Sequence, residues 1–205
     1  IEFNQKLENL PNNLQSLTLV NFNQKLENLP NSLKALTFGS CYNYKPKNFD
    51  GYFNQKLENL PNNLQSLTLG EKFNQKLENL PNSLRKINFG RMFNQKLEKL
   101  PKKLKSLTFG HNFNQKLENL PNSLQSLTLG WHFNQKLNTC LALPKLQIIK
   151  ISESYKDNIP IIFGTTIRIF NDRDDDEKEI KNKIKHNYNF DDWKAIFYKS
   201  VKVSM

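Results

Sequence analysis

Hydrophobic residues recur along this chain with a fixed period. Within each period the apolar positions follow the order Leu-x-x-Leu-x-Leu, as in Leu64, Leu67 and Leu69. The spacing between periods is 20 residues from Phe53 onward, 19 in the first step and 31 in the second, where an insertion interrupts the unit. A period of this length predicts a solenoid, in which each unit packs mainly on its neighbours. The units open with Phe-Asn-Gln-Lys-Leu at Phe3, Phe22, Phe53, Phe73, Phe93, Phe113 and Phe133.

The Leu-x-x-Leu-x-Leu segments are predicted to be short β-strands. In Leu67-Thr68-Leu69 the alternation sends the leucines to one face and the threonine to the other. This spacing is typical of the strand in a leucine-rich repeat. We therefore predict a solenoid of that kind, with a parallel sheet of about seven to eight strands roughly 4.8 Å apart. Seven strands are centred on Leu17, Leu36, Leu67, Ile87, Leu107, Leu127 and Ile149, and another lies within residues 161–170.

The second part of each unit returns the chain to the start of the next strand. Leu-Pro pairs such as Leu60-Pro61 and Leu80-Pro81 mark this return limb. Because proline resists both helix and central strand, the limb is predicted to be extended or to contain a short 3₁₀ turn. The recurring phenylalanines are predicted to stack as an aromatic spine, with rings about 5 Å apart.

Polar residues also form columns. An asparagine follows the phenylalanine in every unit, and we predict that it caps turn carbonyls as a ladder of buried amides. A polar binding stripe is the alternative, but a position shared by every unit is normally required by the coil itself. Lys-Leu-Glu adds a lysine column and a glutamate column, which are predicted to coat the outer face. The asparagines are Asn4, Asn23, Asn54, Asn74, Asn94, Asn114 and Asn134.

The unit FNQKLENLPNSLQSLTLG resembles the FNIP repeat, a relative of the leucine-rich repeat found in social amoebae and in giant viruses that infect amoebae. The match is close over residues 29–39, and it recurs through residues 3–137. It departs from the family at Lys6, Lys25, Lys56 and their equivalents, where the family often has proline. The resemblance implies a solenoid used for protein binding. In many family members the repeats follow an F-box and form the recognition part of a ubiquitin ligase, but no F-box is visible here.

The repeat pattern fades after Leu137, which divides the chain into two parts. Residues 1–140 are predicted to form the repeat solenoid, with an insertion at 40–51, and residues 141–205 a degenerate last repeat followed by an α-helical C-terminal cap. One helix begins near Asp174, and a second is capped by Asp191 or Asp192, with Trp193 and Phe197 on one face. The alternative is that these helices dock onto a partner. The N-terminal end has no visible cap. We therefore expect that residues precede it or that another chain covers it, which would allow self-association.

Motifs for chemistry are not found. The sequence lacks a P-loop, Gly-x-Ser-x-Gly and GxGxxG, and its three histidines and two cysteines have no metal-site spacing. The acidic run near Asp174 lacks the glycine and the final glutamate spacing of a calcium loop. We predict that the chain is not an enzyme and has no cofactor or metal. The isolated thiols of Cys41 and Cys140 and the absence of a membrane-length apolar run favour an intracellular location, in the cytoplasm or in a virion and its host's cytoplasm.

The chain is basic, with a formal net charge of +11. Its cations concentrate in the fourth and fifth units, which permits phosphate binding. Aromatic residues for base stacking are not interleaved with them, so an acidic protein partner is the better prediction and nucleic acid the weaker one. The cluster consists of Arg85, Lys86, Arg91, Lys96, Lys99, Lys102, Lys103 and Lys105.

Positions where the copies disagree are the best candidates for recognition. The residues after the glycine vary most, and residues 85–88 replace the common Gln-Ser-Leu-Thr. We expect Trp131 to be exposed beside His111 and Arg91 on successive coils, which would form a mixed aromatic and basic strip. The insertion carries tyrosines, which suit contact loops, although they can equally pack on the neighbouring coil. The predicted partner-binding residues are Tyr42, Tyr44, Lys86, Asn88, Arg91, His111 and Trp131.

Three classes of function follow. The first is a non-catalytic protein-interaction scaffold, with the recognition arm of an F-box ligase as its specific form. The second is a structural or virion-associated component of a giant virus, and the third is a nucleic-acid binder that uses the basic residues 85–105.

Overall fold

Eight parallel strands form one sheet in chain order. The computed structural model describes residues 4–39, 53–137, 143–155 and 165–170. Each strand pairs only with its sequence neighbours, in the order β1 to β8. The strands are β1 (Ser16–Leu19), β2 (Ala35–Phe38), β3 (Ser66–Thr68), β4 (Lys86–Asn88), β5 (Ser106–Thr108), β6 (Ser126–Leu129), β7 (Ile148–Ser152) and β8 (Thr166–Phe170). The predicted leucine-rich-repeat-like solenoid is confirmed, including the strand within residues 161–170.

The register aligns the predicted strand centres across the whole sheet. Leu67 pairs with Leu36 on one side and with Ile87 on the other, and the same column continues to Ile149 and Ile167. Leu36 and Leu67 are completely buried, whereas Ser66 and Thr68 beside them are half-buried. The alternation therefore sends one face of every strand into the core and the other toward solvent.

Phenylalanine rings form the second wall of the core. Consecutive rings of the repeated phenylalanine stack with centroids 6.0–6.3 Å apart and interplanar angles of 4–16°, from Phe22 to Phe133. The predicted aromatic spine is present, but its spacing is wider than about 5 Å. Offset stacking, which aromatic pairs prefer to a face-to-face sandwich, accounts for centroids farther apart than the strands. Tyr155 continues the spine, 6.1 Å from Phe133.

The asparagine column is a continuous hydrogen-bonded ladder. The backbone N–H of Asn94 donates to Oδ1 of Asn74 at 2.9 Å, and Asn114 repeats this bond to Asn94. Each Oδ1 also accepts a bond from the side-chain amide of a glutamine, as Gln115 does to Asn94 at 3.2 Å. A ladder thus exists, but it differs from the prediction in two ways. The asparagine side chains accept from backbone N–H groups instead of capping carbonyls, and they are half-buried or exposed.

The return limbs turn twice without a helix. The N–H of Leu64 donates to the carbonyl of Pro61 at 3.1 Å, which closes a tight turn before β3. A second bend uses left-handed backbone, with φ of 53° at Asn79 and 57° at Asn119. Asparagine tolerates this conformation better than other non-glycine residues, which explains its recurrence before Leu-Pro.

Glycines lie where the backbones of adjacent repeats approach most closely. A Cβ added to Gly110 would fall against the carbonyl of Gly90 and 2.8 Å from the backbone nitrogen of Arg91. A Cβ added to Gly90 or Gly130 would likewise fall against backbone atoms of the preceding repeat. The first repeat has Val20 at this position, and its side chain is 39% exposed. Glycine is therefore a requirement of stacking, not of the single unit.

Several predicted features lie outside the described residues. These are the insertion with Tyr42 and Tyr44, the two cysteines, and the helical C-terminal cap with Trp193 and Phe197.

The glycine contact yields a stability prediction. Gly110→Ala should destabilise the solenoid by about 2–3 kcal/mol or more, because backbone atoms of the previous repeat must move. Val20→Ala is the matched control and should change stability by about 0.5 kcal/mol or less. Urea denaturation followed by circular dichroism measures both, and equal losses would contradict this account of the glycine column.

The asparagine ladder yields a second stability prediction. Asn94→Ala should cost about 1–3 kcal/mol, because the N–H of Asn114 loses its acceptor. Asn94→Asp keeps an oxygen at that place and should cost less. Thermal denaturation of the two variants tests this, and an alanine variant as stable as the wild type would show that the ladder contributes nothing.

Candidate functional site

Residues that follow the glycines lie in one column of stacked turns. Met92 N–H donates to the carbonyl of Glu71, Asn112 to that of Arg91 and His132 to that of His111, each at 2.9 Å. These bonds repeat the turn from one unit to the next. The first turn residues therefore follow one another along the solenoid as Glu71, Arg91, His111 and Trp131, which we call the turn column.

The turn column ends in an aromatic group. The rings of His111 and Trp131 are nearly parallel, with centroids 6.5 Å apart and an interplanar angle of 9°. His132 tilts against His111 at 4.5 Å. Met92, one repeat earlier, is 42% exposed. The structure thus brings together three of the predicted residues, Arg91, His111 and Trp131.

Neighbouring groups hold this aromatic group in place. Nδ1 of His111 hydrogen-bonds Oδ1 of Asn112 at 2.9 Å, and Asn112 donates to the Met92 sulfur at 3.4 Å. The hydroxyl of Ser154 donates to the carbonyl of Trp131. Trp131 was expected to be exposed, but it is half-buried, and its ring stacks on His111 of the preceding repeat. Ser154 follows the regular units, so the repeat pattern gives no signal for its role.

Two other predicted residues lie away from the turn column. Lys86 and Asn88 begin and end β4, where they replace the Ser and Thr of the neighbouring strands. Asn88 donates to the hydroxyl of Thr68 at 3.4 Å, so it keeps a polar link across the strand face. The structure does not test Tyr42 and Tyr44.

The eight clustered cations do not form one patch. Arg91 lies in the turn column, after β4. Lys96 and Lys99 lie on the return limb, where Lys96 approaches Glu118 at 3.8 Å as an exposed ion pair. The other five lie at the beginning of β4 or in the segments that lead into β4 and β5, and all are exposed. We call this group the basic edge; it consists of Arg85, Lys86, Lys102, Lys103 and Lys105.

A surface groove lies on the return limbs. Its volume is about 960 Å³, and its lining alternates lysine, glutamate and amide side chains, including Lys56, Glu58, Lys76 and Glu78. Because the positive and negative side chains alternate, the groove does not favour a ligand of either charge. This fits the predicted outer face of lysine and glutamate columns exposed to solvent. Within the described ranges, no three His, Cys, Asp or Glu side chains are grouped to hold a metal ion. A membrane-spanning helix is likewise not found in the part of the chain that the structure describes.

The parallel sheet, the repeated turns and the buried leucine column define a leucine-rich-repeat-like solenoid, a class that typically serves as a non-enzymatic scaffold. The protein family FNIP Repeat matches the chain over residues 3–41, 53–92, 93–130 and 113–154. Together these ranges make up more than half of the chain. The chain belongs to the FNIP repeat family.

A solved structure supports the same class. The chain is 40% identical to CroV588, a giant-virus protein described as a novel circular LRR protein, with a TM-score of 0.70. The match covers 82% of this chain and 26% of CroV588, so the chain spans about a quarter of that protein. Among curated proteins, none matches.

Proposed function

We propose that this chain is a non-catalytic protein-interaction scaffold that binds a protein partner through the turn column. The observation that supports it best is the geometry of Arg91, His111 and Trp131. These residues differ between repeats, yet hydrogen bonds between repeats hold their turns in register. Side chains that the coil does not require thus lie side by side on a rigid support.

The chemistry of the turn column suits protein recognition. Tryptophan and arginine are the side chains most enriched at binding hot spots, and methionine adapts to apolar partners. His111 and Trp131 already stack on one another, so little side-chain freedom is lost when a partner binds. The adjacent Met92 extends the apolar part of this surface.

The net charge indicates the kind of partner. At +11 the chain attracts acidic surfaces and repels basic ones. We therefore propose an acidic protein partner, met inside a cell or in a virion and its host's cytoplasm.

A narrower form of the proposal makes the chain the substrate-recognition arm of an F-box ubiquitin ligase. The family resemblance is its support. Co-purification of the full protein with an F-box adaptor would favour this form.

A structural role in a giant virus is the second candidate. The similarity to CroV588, a giant-virus protein, favours it. Recovery of the protein from purified particles at a fixed stoichiometry would decide for this role over the first.

Alanine at the three turn positions tests the main proposal. The variant Arg91→Ala, His111→Ala, Trp131→Ala should lose partner capture and keep its fold, because none of these side chains builds the buried leucine column. The control is Lys76→Ala, Lys116→Ala, Lys136→Ala on the return limb, which should capture the same proteins as the wild type. Affinity capture with mass spectrometry gives the readout, and circular dichroism checks folding.

With a purified partner, the triple alanine variant of the turn column should have a Kd at least tenfold higher than the wild type. This corresponds to a loss of about 1.4 kcal/mol in binding free energy. Equal capture by the wild type, the control and a folded turn variant would contradict the proposal.

A further inference from the structure

We infer that the basic edge is a second contact surface, which binds a short acidic peptide segment. This inference rests on the scaffold function proposed above and names the chemistry of what the scaffold binds. It uses different residues from the turn column, at the opposite end of the strands. The two surfaces can therefore be tested separately.

The backbone places the cations of the basic edge on adjacent strands. Lys105 N–H donates to the carbonyl of Arg85 at 2.8 Å, so these residues are direct neighbours across the sheet. In the same way, the N–H of Arg85 donates to the carbonyl of Gln65, and the N–H of Gln125 donates to that of Lys105. The five cations thus lie on two adjacent repeats, between neutral Gln65 and Gln125. Lys34, the next cation of this column, lies beyond Gln65, and its Nζ donates to Gln15.

The fold does not require these cations. The turn that contains Lys102 and Lys103 has Asn122 and Ser123 in the next repeat, with the same tight turn before the strand. Ser123 donates to the backbone carbonyl of Lys102, so the contact to the next repeat does not involve the lysine side chain. At each of these five positions another repeat has a neutral residue on the same backbone path.

Neighbouring carboxylates do not neutralise the basic edge. The glutamates of these repeats, such as Glu98 and Glu118, lie on the return limb, and Glu71 lies in the turn column. The ion pair between Lys96 and Glu118 lies outside the basic edge. Like charges held this close repel one another, and an anionic ligand relieves that repulsion.

The size of the basic edge favours a peptide over nucleic acid. Two strands span about 5 Å between centres and roughly 10 Å with their side chains, a distance that three or four extended residues cover. Nucleic-acid grooves follow a longer backbone and offer aromatic rings for base stacking. The cluster of five charges ends at Gln65 and Gln125, and the half-buried rings of His111 and Trp131 lie at the other end of the strands.

A labelled peptide with four consecutive glutamates tests the inference by fluorescence anisotropy, with a four-glutamine peptide for comparison. The test variant gives the basic edge the residues of other repeats: Arg85→Gln, Lys86→Ser, Lys102→Asn, Lys103→Ser, Lys105→Gln. It should weaken binding of the acidic peptide at least tenfold. A smaller variant, Lys102→Asn with Lys103→Ser, should weaken it severalfold and guards against loss of folding in the larger one.

The matched control removes five positive charges from the return limbs: Lys56→Gln, Lys76→Gln, Lys96→Gln, Lys116→Gln, Lys136→Gln. Its affinity for the acidic peptide should stay within about twofold of the wild type, since screening weakens the effect of charges that lie farther away than about 10 Å. An equal loss in the control would show that only net charge matters, and the inference would be wrong.

Two other results would also overturn it. One is equal affinity for the glutamate and glutamine peptides. The other is that a single-stranded oligonucleotide binds more tightly than the glutamate peptide through the same five residues. The surface would then be a nucleic-acid site. If the acidic peptide does not bind while the turn column still captures a partner, the second surface fails and the proposed scaffold function stands.

Discussion

Backbone hydrogen bonds between successive repeats impose the constraint on which the structure depends. They join the strands, the segment before them and the turns after them, as in Lys105 to Arg85 and Asn112 to Arg91. Each unit must therefore repeat the backbone path of the last one at strand spacing. Glycine is needed where this brings main chains together, as at Gly110, and asparagine where the path turns left-handed, as at Asn119. Near-identity of the repeats is a consequence of this stacking.

The same constraint separates residues that build the coil from those free to bind. Phenylalanine, leucine, asparagine and glycine have fixed partners in neighbouring units, so they cannot vary without loss of stability. The outward positions lack this obligation, and there the copies differ. Their differences gather at two ends of the strands, aromatic at His111 and Trp131 and basic at Arg85 and Lys105. Both surfaces are preorganised by the sheet, which lowers the entropy lost on binding.

Much of the fold could be predicted because its signals are local and repeated. The column from Leu17 to Ile167 and the asparagine ladder both followed from spacing alone. The candidate site was harder, because spacing gives position along the chain but not the face that a side chain occupies. The basic cluster looked continuous, yet Arg91 and Lys96 lie apart from Arg85. Trp131 looked exposed, yet it is half-buried, with its ring stacked on His111 of the preceding repeat.

By itself, the sequence determined that this protein is a stack of parallel strands with leucine and phenylalanine inside. A period of 20 residues with alternating apolar positions permits little else, since each unit can bury its hydrophobic face only against a neighbour. Only the tertiary structure decided which variable residues meet. Residues 20 apart become direct neighbours across the sheet, whereas residues six apart, such as Arg85 and Arg91, fall at opposite ends of a strand. The two surfaces follow from that geometry, because side-chain contacts depend on the distance between strands and not on separation along the chain.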